Sequence, residues 1–235
     1  MPMIRIVAKG FKEAKKELAR IEKQIPYATA RALTFTAKAA KQDIESEMRS
    51  VFDRPTRWTL NSLYLEAARK DKLQARIGVK GDATRGDPPT KWLTPEVHGG
   101  TRSPKPSERA LRQRGLLPSG KYVLPGKGMK LDSFGNVSGP RMKSILERIG
   151  LKPQQEDGKP KNRRSVFVIR RGNQPIGIAE RTGKGADKMS VILAFGRRPT
   201  YKRRLDFYRI ADKAIAVNLN REMKKALAHA LRTAR

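Results

Sequence analysis

Three short apolar runs, Ser165-Val166-Phe167-Val168-Ile169-Arg170-Arg171, Pro175-Ile176-Gly177-Ile178-Ala179-Glu180-Arg181 and Met189-Ser190-Val191-Ile192-Leu193-Ala194-Phe195, stand one after another and lead into a long helical stretch. Runs of this length, rich in Val, Ile and Phe, read as β-strands. The first predicts a strand buried on both faces. Gly183-Lys184-Gly185 predicts the turn before the third. From about Leu205 to Arg232, Tyr208, Ala211, Ile215, Leu219, Met223, Ala226 and Ala230 recur every three or four residues, the period of an amphipathic helix. His229, Arg232 and Arg235 supply cations where the helix dipole is negative.

Working back toward the N-terminus, Ile4, Ile6 and Ala8 alternate with polar or small neighbours and predict a short opening strand that Gly10 ends. Phe11, Ala14, Leu18, Ile21 and Ile25 then predict a helix, which Pro26 is expected to interrupt. A second helix follows, with Leu33, Ala37, Ala40, Ile44 and Met48 on one stripe, and Arg54-Pro55-Thr56 breaks it. Thr59–Glu66 reads as a strand. Leu73, Ala75, Ile77 and Val79 alternate with Gln74, Arg76 and Gly78 as a half-buried strand, so the two predict a hairpin. Between Gly81 and Arg164 the periodicity dissolves into Gly, Pro, Ser and Lys, with short helices expected only at Ser107–Arg114 and Pro140–Ile149.

The sum predicts an α+β fold: an antiparallel sheet, built from two hairpin-like groups and packed by two N-terminal helices and one long C-terminal helix. Residues 1–80 and 165–235 are expected to form one core domain. Residues 81–164 are expected to be an irregular basic insertion that orders only against a neighbour.

Composition narrows the function. The chain has 235 residues and no cysteine, which excludes disulfides and thiolate metal sites and fits a reducing cytosol. No apolar run approaches the length that crosses a bilayer, so no membrane partner is expected. The N-terminus is too short and too alternating for a signal peptide. Fifty-three Lys plus Arg against 22 Asp plus Glu give a formal charge of +31. An excess of this size repels itself in the compact state and implies an anionic partner: nucleic acid, an acidic protein surface or a membrane surface.

Catalytic patterns are not found. The two histidines, His98 and His229, are far apart, with no second His at metal-ligand spacing. Gly126-Lys127-Gly128 and Gly183-Lys184-Gly185 lack the spacing of a phosphate-cradling loop. Glu156-Asp157 lies in a Lys/Pro-rich stretch with no apolar pocket to raise a pKa. The expectation is therefore a protein that is not an enzyme, with no catalytic residue, cofactor or metal. The charge gathers instead in Lys159-Pro160-Lys161-Asn162-Arg163-Arg164, in Arg197-Arg198-Pro199-Thr200-Tyr201-Lys202-Arg203-Arg204, and across the insertion at Arg102, Lys105, Arg109, Arg112, Arg114, Lys121, Lys127 and Lys130. Lys159, Lys161, Arg163, Arg164, Arg197, Arg198, Lys202, Arg203 and Arg204 are the candidate contacts to DNA or an acidic partner. No helix-turn-helix, zinc-finger or RNA-recognition signature accompanies them, so any phosphate contact is expected to be nonspecific and salt-dependent.

Gly177-Ile178-Ala179-Glu180-Arg181-Thr182-Gly183, the apolar strand Val191-Ile192-Leu193-Ala194-Phe195, and Arg204-Leu205-Asp206-Phe207-Tyr208 before an Ala/Leu-rich helix occur in an order that resembles the phage minor tail protein Z family. Those proteins show a similar GI-x-x-R-x-G, an apolar strand, then Y-x-x-R-x-x-F. Ala179 stands where a larger residue is expected. Gly10-Phe11 and Arg31-Ala32-Leu33 look like related tail-component families. The resemblance covers the N-terminal helices and roughly the last seventy residues, and it makes Gly177, Glu180, Arg181, Gly183, Arg204 and Phe207 structural motif positions.

It implies a structural virion protein of a tailed bacteriophage, assembled in the bacterial cytoplasm. Such a protein completes the head-proximal tail end and aids head–tail joining. Its partners would be itself as a ring, six-fold by expectation, the tail terminator, tail tube and head-completion proteins, and genomic DNA contacted nonspecifically. The rival is a nonspecific nucleic-acid-binding protein, a packaging or ribosome-associated factor acting through its basic patches.

Overall fold

Alanine decides how the two long helices meet. In the computed structural model, which describes residues 11–83, 87–151, 166–181, 183 and 188–233, α1 (Phe11–Val51) packs along α6 (Phe207–Thr233). Most buried positions of α1 fall every four residues, at Ala28, Ala32, Thr36, Ala40, Ile44 and Met48, with Ala30 and Ala37 buried beside this row. Those of α6 repeat the same step, at Ala214, Asn218, Ala226 and Ala230. Matching ridges four residues apart interdigitate, and methyl-sized side chains let the two backbones come close. Ala28 and Ala32 are packed with Ala226 and Ala230, flanked by Tyr27, Met223 and Leu227. The helices run antiparallel, since Asp43 and Glu47 share a groove with Arg209 and Lys213 at the other end.

The fold is α+β as expected, but several elements differ from the expectation. Pro26 lies inside α1, so one helix of 41 residues replaces the two. A proline interrupts a helix by losing one N–H donor at a cost of about 3 kcal/mol; here the seam with α6 begins two residues later, at Ala28, and holds the helix together. The stripe expected on α6 holds in its second half, where Ala226 and Ala230 are buried and Met223 packs beside them, but not in its first, where Tyr208 and Ile215 are exposed and Ala214 and Asn218 are buried instead.

The chain divides into two compact units. The first holds α1, α6, the single-turn helix α2 (Arg57–Leu60) and an antiparallel hairpin of β1 (Leu63–Glu66) and β2 (Arg76–Val79). The hairpin is as expected, but its strands are shorter. Asn61 and Ser62 N–H groups donate to Arg57 and Thr59 carbonyls and close a helical turn where strand was expected. Arg69 and Lys72 exchange backbone hydrogen bonds, so the connecting turn absorbs Leu73. The Ala68 N–H donates to Thr34 Oγ1 at 3.1 Å, which ties the connection to α1.

The second unit contains α3 (Thr90–His98), β3 (Gly100–Thr101), α4 (Pro106–Gln113), β4 (Tyr122–Pro125), α5 (Gly139–Arg148), β5 (Val166–Arg171), β6 (Gln174–Arg181), β7 (Met189–Gly196) and β8 (Thr200–Tyr201). The four-stranded antiparallel sheet has the order β4-β7-β6-β5. The described residues between 81 and 151 are thus not the irregular projection expected of them. They supply a strand of the main sheet and two helices whose ends fall within a residue of expectation. Leu111, Leu117, Met129, Ile145 and Leu146 from this stretch form one core with Val166, Ile178, Ile192 and Leu193. The helices that cover the sheet are therefore α4 and α5, and the two hairpin-like groups do not share a sheet. β5 is an edge strand with only Val166 buried, not a strand buried on both faces. The expected opening strand, Glu156-Asp157 and the Lys159–Arg164 cluster lie outside the described residues.

Candidate anion-binding surfaces

Carboxylates are scarce, so where each one is placed decides which cations are left to face a partner. Glu108, in the first turn of α4, is fully buried. It takes two hydrogen bonds from the Arg102 guanidinium, at 2.7 and 2.6 Å. It also accepts the Lys105 N–H at 2.7 Å and the Val123 N–H at 2.9 Å. Burial pushes its pKa up, but the Arg102 guanidinium and the two backbone donors outweigh burial and hold it below the ordinary glutamate range. Arg102 and Arg112 both lie over the Tyr122 ring, each 5.1 Å from its centroid. Arg112 also donates to the Lys121 carbonyl. Two arginines of the insertion expected to face an anion are therefore engaged internally, joining α4 to β4.

Glu96 has the same role for the Arg197–Arg204 cluster. It is buried at the end of α3 and accepts hydrogen bonds from Nε and Nη2 of Arg204, each at 2.8 Å, while the Arg204 N–H donates to the Glu96 carbonyl at 2.9 Å. Arg204 is thus a clamp rather than an open anion contact. β3 and β8 pair through Gly100–Tyr201 and Thr101–Thr200, which fixes the base of the same loop. Around this anchored base Arg197, Arg198, Lys202 and Arg203 are exposed. Among the described residues no carboxylate pairs with Arg197, Arg198 or Lys202. Four of the nine candidate contacts thus come together on one loop.

The motif positions are structural. Gly177 sits where a Cβ would lie 2.6 Å from the Leu193 carbonyl oxygen, so only glycine allows β6 and β7 to approach as they do. Glu180 on β6 pairs with Arg141 and Arg148 of α5 and so fastens that helix to the sheet. Arg181 points to the other side and covers the Phe167 ring at 5.7 Å. Gly183 lies against Lys188, and Phe207 meets Tyr208 edge to face at the start of α6. The Gly126-Lys127-Gly128 run prolongs the β4–β7 ladder, with Gly126 and Gly128 N–H groups bonded to Ile192 and Val191 carbonyls.

A second cationic surface escaped the sequence reading. Between α1 and α6 runs an open groove of about 550 Å³ lined by Arg31, Lys38, Lys225, His229 and Arg232, with Phe35 and Glu222. Glu222 is paired with Arg221 and Lys225 and is held below its ordinary pKa, by Lys225 first. The signal was present as spacing: Arg31 and Lys38 are seven apart, and Lys225, His229 and Arg232 are four and three apart, each set on one helix face.

Among the described residues no three His, Asp or Glu side chains are placed to hold a metal ion, and no helix is long and apolar enough to cross a membrane. The chain matches no protein-family model, no curated protein and no solved structure.

Proposed function

We propose that this chain is a non-enzymatic structural protein of a tailed-phage virion, of the tail-completion type, which forms a ring at the head-proximal end of the tail and meets an anionic surface there. The observation that carries the reading is the loop at Arg197, Arg198, Lys202 and Arg203. Its base is fixed by the β3–β8 pair and the Glu96–Arg204 clamp, while its cations face outward. A rigidly mounted basic loop suits a fixed neighbour, DNA in a channel or an acidic ring. The motif text that resembles minor tail protein Z accounts for that mounting: Arg204 is the clamp, Gly177 the close strand contact, and Glu180 the helix fastening.

The test is charge reversal of Arg197, Arg198 and Lys202 to Glu, with Arg204 left intact so that the loop stays anchored. Particle yield or titre should fall while thermal stability is unchanged. Wild-type particles from this variant would count against the reading.

The second reading, nonspecific nucleic-acid binding, draws on the α1–α6 groove, whose cations lie along two helices as a phosphate backbone would require. Binding to duplex DNA would then weaken linearly in log salt with a slope of roughly −0.9 per phosphate neutralised. Reversing Arg31, Lys38 and Arg232 would flatten that slope by about three. An unchanged slope would exclude the groove.

A further inference from the structure

The stretch of α1 before Pro26 carries large aliphatic residues at its surface. Leu18 is 66% exposed and Ile25 47% exposed, seven apart on one helix face, with Ile21 half-buried between them. The reason lies in the lengths of the two helices. α6 ends at Thr233, and its last seam residue, Ala230, packs with Ala28 and Ala32. From Phe11 to Ile25 α1 therefore runs on past its partner by about 22 Å at 1.5 Å per residue.

Along this overhang the pattern changes. The seam with α6 uses small residues every four positions, whereas upstream Leu18, Ile21, Ile25, Ala28 and Ala32 alternate steps of three and four. That is the heptad repeat of a coiled coil, and it enters the covered seam at Ala28 without a break. With Leu18 and Ile25 at position a and Ile21 and Ala28 at d, Lys15 and Glu22 fall at e, and Glu17 and Gln24 at g.

We propose that this overhang is the pairing surface for a second copy of the same chain, joined as an antiparallel two-helix coiled coil. The stripe is self-complementary when reversed: Leu18 meets Ile21 of the partner subunit, and Ile21 meets Leu18 of the partner subunit. The flanking charges choose the same direction. Antiparallel pairing faces e with e, so Lys15 meets Glu22 of the partner subunit twice, once on each side. It faces g with g, so Glu17 meets the neutral Gln24 of the partner subunit. A parallel pair would instead set Glu17 against Glu22 of the partner subunit, a like-charge contact repeated twice. The overhang's own charges are mixed, with Glu13, Glu17 and Glu22 among its bases, so two strongly basic molecules meet there with less repulsion than at the basic clusters. Salt separates this pairing from phosphate binding, because it screens the repulsion between two chains of charge +31 but competes with phosphate contacts.

The experiment is sedimentation velocity of the purified, nuclease-treated full chain across protein concentration at moderate salt. Wild type should show a concentration-dependent dimer that strengthens as salt is raised. Leu18→Glu with Ile25→Glu should leave monomer at the same concentration with unchanged helical circular dichroism. Lys15→Glu alone should weaken association about tenfold, and adding Glu22→Lys should restore it. Because the chain has no cysteine, direction can be read chemically. A mixture of Leu18→Cys and Ile21→Cys proteins should form the mixed disulfide in preference to either like pair. A monomer at every concentration, an assembly of any size that survives the double Glu variant, or like pairs prevailing in the cysteine mixture would overturn the proposal.

Discussion

Glu108 is the residue on which the second unit depends most. A carboxylate with no exposure is tolerable only because four donors reach it, from Arg102, Lys105 and Val123. Glu108→Gln removes the charge that Arg102 needs while keeping the shape. Breaking one side of a buried pair costs about 3–5 kcal/mol, so urea unfolding of this variant should show a loss of that order. The same group sets an acid limit. Its folded pKa lies below the ordinary glutamate value, so its stabilising contribution is present above the unfolded pKa and is lost as the pH falls through the folded one. Unfolding monitored below the usual glutamate range should therefore be steeper in the wild type than in Glu108→Gln, and parallel acid curves would contradict this. None of it was legible in the sequence. Glu108 stands alone among bases, and apart from the nearby Lys105 N–H its partners Arg102 and Val123 lie 6 and 15 residues away, spacings that only the fold brings together. Gly177 and Glu180 were legible as positions, through the motif, but not in their roles. Glu180 needed α5, which crosses to it from 39 and 32 residues upstream.

At the scale of elements, the α1–α6 pair carries the clearest lesson. Helix periodicity was read correctly at both ends of the chain, and Ala37, Ala40, Ile44 and Met48 are buried as the stripe predicted. On α6 the expected phase held at Ala226 and Ala230 and failed only in the first half, where the bulkier Tyr208 and Ile215 were expected inside and Ala214 and Asn218 are buried instead; alanine is the residue that lets two helices meet closely. A larger side chain at this seam has nowhere to go. Ala32→Leu or Ala226→Leu should cost about 1–3 kcal/mol through overpacking, seen as a lowered Tm, whereas a leucine at exposed Ala216 should leave Tm unchanged. Equal melting of all three variants would remove the account of the seam. The short strands failed for a different reason. β4 is four residues in a stretch of Gly, Pro and Lys, and it becomes a strand because β7 offers it a free edge, with Tyr122 to Pro125 paired to Gly196 to Leu193. Pairing partners of this kind are not encoded locally.

For the molecule as a whole, the fold class and the concentration of charge were legible, because both follow from composition and period. Which cations are open was not. The structure divides them, with Arg102, Arg112 and Arg204 spent on internal acids, carbonyls and rings while Arg197, Arg198 and Lys202 remain outward on their loop. Glu96, Glu108 and Glu180 hold only a few of the cations inside, so most of the excess positive charge is left for a partner, and two copies meet with least repulsion where charges are mixed, as on the α1 overhang. A two-fold coiled coil joins copies in pairs, whereas a ring needs a different, head-to-tail contact. Both contacts used together would give two rings face to face or a ring of dimers.

The direct test of the proposed function is the position and copy number of the chain in purified tailed-phage particles that contain its coding sequence, determined by cryo-electron microscopy. The account predicts a closed ring at the head-proximal end of the tail, with the Arg197–Arg203 loop against DNA or an acidic neighbour. Complete, infectious particles without density for this chain would contradict it.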